Sequence, residues 1–208
     1  SVDLLVIRHG QSEADVLNVI EGRADFPLTD LGHAQAETMA QWVNDHYKIT
    51  GIVCSTLLRA RQTAKRLSQA TGVGVVHDDD LMEWQNGLIA GLTRAEADAK
   101  YPAPPVKFPH TKVYGQESEI EFRARAEHAL SRILNENPSD SVVAVVSHGG
   151  MINMLYRSFL GLSLHTNVFL VTGDTGIHHW RVNQDQDNRR TVLFSNRQEH
   201  LTKSEEAQ

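Results

Sequence analysis

Two stretches of this 208-residue chain share one grammar: an unbroken aliphatic run, then a histidine, then a glycine. Leu4-Leu5-Val6-Ile7 leads into Arg8-His9-Gly10, and Val142-Val143-Ala144-Val145-Val146 leads into Ser147-His148-Gly149. A branched aliphatic run without polar alternation suits a strand buried on both faces, as in a sheet covered by helices on both sides. Open α/β sheets bind ligands beyond the carboxyl ends of such strands. The pattern therefore predicts a cation and two imidazoles converging at one sheet edge. Gly10 is expected to let the backbone turn sharply there and approach a bound group.

Strand-like and helix-like segments alternate along the rest of the chain. They predict an α/β fold: a single-domain three-layer sandwich, with a mostly parallel central sheet and helices on both faces. Strands are predicted at 2–7, 52–54, 73–77, 142–146, near 168–171, 177–182 and 191–194. One helix is predicted after Asp30-Leu31-Gly32, with Ala36, Met39, Ala40, Val43 and Tyr47 on its apolar face. A second is predicted from a cap at Thr56, and a third from Ser118-Glu119-Ile120-Glu121 onward. A fourth runs through Met151, Leu155 and Phe159. Residues 82–116 carry four prolines and three glycines and read as an irregular excursion over the sheet edge. The domain is expected to span 1–201, with 202–208 a frayed C-terminal tail.

The formal charge of −6 leaves no basic footprint for nucleic acid or an anionic membrane. An anionic ligand must then be met by a few arginines gathered in a pocket. The single cysteine, Cys54, has no partner for an intramolecular disulfide and reads as core. No run approaches the ~18 apolar residues of a membrane span, and no charged-then-apolar leader opens the chain, so a cytoplasmic location is expected.

Five blocks in order give the chain a resemblance to the histidine phosphatase superfamily, also called phosphoglycerate mutase-like. They are Arg8-His9-Gly10, the segment from Asp25-Phe26-Pro27-Leu28-Thr29 to Gly32, the segment from Ser55-Thr56 to Thr63-Ala64 around Arg59, Glu83, and Ser147-His148-Gly149. The resemblance implies the phosphoglycerate mutase-like fold and a phosphomonoesterase acting on a small phosphorylated metabolite. It makes His9 the nucleophile that forms a phosphohistidine, with its second ring nitrogen bonded to a carbonyl. Arg8 and Arg59 hold the phosphoryl oxygens. His148 donates to them, more usefully if protonated, beside the Gly149 amide. Glu83 is the acid and base. Ser12, Asp15, Glu21 and Gly22 complete the implied phosphate- and substrate-binding set. No metal or other cofactor is implied.

Two departures stand out. Asp15 replaces the asparagine common in the family; it turns away, donates as a neutral acid, or weakens phosphate binding. Val19-Ile20 lies where an arginine is often found. Only Arg94 and Lys100 lie between Glu83 and Lys107, which favours hydrolysis over the runner-up, a cofactor-dependent phosphoglycerate mutase. A non-catalytic phospholigand-binding protein is the third reading. The oligomeric state stays open, a homodimer included. Other features are set aside: His178 and His179 alternate across a strand and cannot share a metal, and Asp185-Gln186-Asp187 lacks the glycine and glutamate of a calcium loop.

Overall fold

The computed structural model describes residues 1–207. Six strands form one sheet in the order β3-β2-β4-β1-β5-β6. They are β1 (Val2–Arg8), β2 (Gly51–Ser55), β3 (Val75–Asp78), β4 (Val142–Ser147), β5 (Ile177–Asn183) and β6 (Arg189–Arg197). The pairs β1–β4, β2–β4 and β2–β3 are parallel, while β5 and β6 add an antiparallel edge.

The uninterrupted aliphatic runs have the expected cause. In β1, Leu4 and Val6 enter one core with Val143 and Val145 of β4, while Leu5 and Ile7 enter another with Ala144 and Val146. Helices α5 (Glu119–Glu136) and α6 (Gly149–Leu160) cover the first face. Helices α2 (Asp30–His46) and α3 (Leu58–Thr71) cover the second. Two short helices, α1 (Glu13–Leu17) and α4 (Arg94–Lys100), complete the order.

Helix α5 starts where its capping box predicts, with Ser118 Oγ accepting the Glu121 amide and Glu121 Oε1 accepting the Ser118 amide. Several expectations are corrected. Thr56 does not cap α3; its hydroxyl donates to Asp79 Oδ1, and Leu57 occupies the cap position. The first amides there are met by Ser55 Oγ and by Asp25 Oδ1, the latter at 2.7 Å from Leu58 N.

No strand forms at 168–171. Asn153 on α6 bonds both the N–H and the C=O of Leu170, so a side-chain amide replaces the ladder rung and leaves Val168, Phe169 and Val171 exposed. Within 82–116, α4 was hidden by its proline-rich surroundings; Thr93 caps it by accepting the Glu96 amide. The segment expected to fray from 202 instead packs on α2: Gln35 and Thr38 donate to the carbonyl and carboxylate of Glu205. Gln208 lies outside the described residues.

Candidate active site

Strands β1 and β4 are hydrogen-bonded neighbours whose register ends at Arg8 opposite Ser147. The residue after each is therefore delivered to the same edge, and the rings of His9 and His148 stand 5.1 Å apart between centroids. Both are buried. Gly10 has no positive φ. What its missing side chain permits is close approach: a Cβ there would sit 2.5 Å from the Gly32 carbonyl oxygen at the start of α2.

The Gly10 carbonyl in turn accepts from His9 Nδ1 at 2.7 Å. That bond places the ring proton on Nδ1 and leaves the lone pair on Nε2. Burial, then the positive charges of Arg59 and Arg8, hold His9 well below the usual histidine range, so the ring is neutral.

His148 is held from the other side. Ser55 Oγ accepts the Leu57 amide and has its proton to give; His148 Nε2 lies 2.7 Å away. With that proton on Nε2's lone pair, the ring N–H is at Nδ1, which is buried and has no protein partner among the described residues. Burial first, then Arg59, His9 and Arg8, push His148 well below the ordinary value. Burial thus favours the neutral ring over the more useful protonated one and leaves it a single N–H, at Nδ1.

Arg59 lies in the first turn of α3 and is fully buried. Its Nε points at His9 Nε2 (3.3 Å), while its terminal nitrogens donate to Ala24 O (3.0 Å) and Gly22 O (2.6 Å). Gly22 adopts φ +50°, a conformation costly for other residues. Arg8 donates to Thr172 O at 2.7 Å, and its buried Nε has no hydrogen-bond partner among the described residues. A Cβ on Gly149 would come within 3.8 Å of that nitrogen, so Arg8 lies against the opening of α6.

Glu83 reaches the same helix end. Its carboxylate accepts the amides of Gly150 (3.0 Å), Met151 (3.0 Å) and its neighbour Trp84 (2.9 Å). The N-terminus of α6, with its positive dipole end, thus carries His148, Gly149 and Glu83 together.

Ser12 is buried at the edge of this cluster, and its hydroxyl donates to Glu21. Asp15 is exposed and turned back, its Oδ2 accepting the Ser12 amide at 3.0 Å as a helix cap. Of the three alternatives for Asp15, turning away is the one adopted. Glu21 occupies an unexpected place: its Oε1 is ion-paired with Arg59, 2.9 Å from Nε, and lies 3.9 Å from His9 Nε2.

Arg125 on α5 was missed. Its guanidinium binds the carbonyls of Asp80 and Met82 (2.8 Å each) and of Glu83 (3.2 Å), and it is paired with Glu117. It fastens the irregular segment that presents Glu83, and nothing in a helical arginine's sequence context announces that. Arg23, whose Nε donates to Glu83 O at 2.7 Å, was missed as well. His178 and His179 do bond on opposite faces, to Thr172 and Asp3 respectively.

The family model of the histidine phosphatase superfamily (branch 1) matches residues 4–195. A glucosyl-3-phosphoglycerate phosphatase of Mycobacterium tuberculosis is 31% identical over 169 residues, covering 76% of this chain and 75% of that protein. A probable phosphoglycerate mutase of Yersinia pestis is 33% identical over 172 residues, covering 79% and 77%. The solved structure of a mycobacterial glucosyl-3-phosphoglycerate phosphatase with VO3 is similar at a TM-score of 0.82 and 27% identity, covering 94% of this chain and 99% of that one. Sequence and fold agree over nearly the whole length, and this chain belongs to branch 1 of the histidine phosphatase superfamily.

Proposed function

We propose that this protein hydrolyses phosphomonoesters of small metabolites through a phosphohistidine at His9. The observation that carries the reading is the state of His9: buried, neutral, its proton committed to Gly10 O, and its Nε2 beside the Arg59 guanidinium. Nε2 attacks phosphorus, and the P–N bond forms as the ester P–O bond breaks. Arg8, Arg59, His148 Nδ1–H and the opening amide of α6 meet the charge on the equatorial oxygens. Glu83 gives its proton to the leaving oxygen. In the second step the Glu83 carboxylate takes a proton from water as its oxygen attacks phosphorus and the P–N bond breaks, releasing inorganic phosphate.

No step draws on a metal. The phosphatase relative supports hydrolysis; the similarly identical probable mutase keeps phosphoryl return to a second hydroxyl as the alternative. A cytoplasmic setting is part of the same proposal; the acidic charge supports a ligand range without nucleic acid, and no described helix is long and apolar enough to cross a membrane.

Brief incubation with a ³²P-labelled phosphomonoester should leave an acid-labile, alkali-stable label on the protein, absent in His9→Ala. Persistence of the label in that variant would overturn the assignment. Comparing phosphate release with isomerisation of 3-phosphoglycerate by the same sample separates phosphatase from mutase.

A further inference from the structure

Glu21 sets a negative charge among donors suited to a phosphoryl group. One carboxylate oxygen is ion-paired with Arg59, 2.9 Å from its Nε, and lies 3.9 Å from the attacking nitrogen of His9, while the other accepts the Ser12 hydroxyl. An oxygen of a phosphoryl group bonded to His9 Nε2 would fall within reach of the same Arg59 nitrogen. Two anions cannot share those partners without strong repulsion where His9, Ser12 and Arg59 are all buried.

The loop that carries Glu21 is built around the same arginine, which also holds the carbonyls of Gly22 and Ala24. The charged and titratable groups facing Glu21 are Arg59 from α3, Arg8 and His9 from the end of β1, and Asp15 from α1. Burial is the leading influence on its carboxyl and raises it above the ordinary value, against the pull of Arg59. The His9 and His148 rings stay neutral well into mild acid.

We propose that Glu21 is an internal competitor for the phosphoryl site: its carboxylate pairs with the Arg59 charge and occupies the Ser12 hydroxyl, and an anion enters only as Glu21 is protonated or withdrawn. This rests on the phosphatase reading of the same pocket and adds a control to it. Anion affinity is then set by one residue, weak where Glu21 is ionised and stronger in mild acid. Glu21 accordingly limits how tightly the product phosphate is retained.

Calorimetric titration of the full chain with sulfate, a dianion throughout the range used, tests this. Wild-type affinity should rise about tenfold or more between about pH 8 and about pH 5.5. Glu21→Gln should bind sulfate about tenfold tighter than wild type near pH 7.5 and show a flat pH profile. Equal affinity and equal slope in the two proteins would overturn the proposal. Should the variant fail to fold, a flat wild-type profile overturns it alone. If His9 labels with phosphomonoester while sulfate binding ignores Glu21, only the competitor role falls. If His9 does not label and sulfate does not bind, the phosphatase reading falls with it.

Discussion

The carboxylate of Glu83 sits on the backbone of Gly150, with Oε2 3.0 Å from its amide nitrogen and Oε1 2.5 Å from where a Cβ would be. Gly150→Ala is therefore a probe of Glu83 that leaves Glu83 in place. The contact is with the end of a flexible side chain, so the helix should form and melting should change little. Turnover should fall about 10- to 100-fold, because a displaced acid forfeits much of the gain from positioned proton transfer. Steady-state kinetics alongside a thermal melt tests this; unchanged turnover would remove Glu83 from the reaction.

Asp25 acts on Arg59 from a distance. By accepting the Leu58 amide at 2.7 Å it serves as a cap supplied from another segment to a helix whose own cap residue is leucine. Asp25→Ala should cost about 1 kcal/mol of stability in urea unfolding. It should also raise KM, since α3 orients Arg59 in its first turn. Asp25→Asn should restore most of both.

Acid should destabilise this protein through its buried histidines. Burial lowers His178 and His200 to about 4, and His178 is tied to neutrality by geometry: its Nδ1 accepts the Asn196 amide, and its Nε2 bonds Thr172. In the unfolded chain each binds a proton near pH 6.5. Their contribution is thus complete above that pH and lost as pH falls toward about 4. Each pH unit in that window should remove on the order of 1.4 kcal/mol per histidine. Urea midpoints measured from pH 7 to pH 4 should show this slope, reduced by about one proton in His178→Gln.

Cys54 offers an independent check of the core. It is fully buried on β2, and burial pushes its thiol up to about 12. A thiol reagent such as DTNB should react only as fast as the protein opens, and the rate should climb with urea in parallel with unfolding. Rapid labelling of the folded protein would contradict the packing of β2 beneath α3.

The legible parts of the molecule were those where local pattern and long-range packing agree. β1 and β4 could be read because both their faces are buried, and α5 because Ser118 and Glu121 form a cap visible in four residues. The stretch around Phe169 was misread because apolar character there answers to no core; its backbone is satisfied by Asn153 across a gap in sequence. His9, His148, Arg8, Arg59 and Glu83 were named together from the sequence and the structure gathers them, but the contacts that support them were not legible. Arg125 binds three carbonyls between β3 and α4, and Glu21, named only through the resemblance, lies in a loop that gives no hint of its pairing with Arg59. Contacts of that kind depend on how loops close over the sheet, which no periodicity encodes.

The pairing of Arg8 with Ser147 has a consequence for how this site can fail. Adjacent strands lie about 4.8 Å apart, so the separation of the two imidazoles is a lattice constant of the sheet more than a side-chain adjustment. Slipping one strand by a single rung would carry its ring about 3.3 Å along and turn it into the opposite layer. Damage to this edge should accordingly be all-or-nothing, while the loops suspended from it are free to drift in length and composition without dispersing the pair.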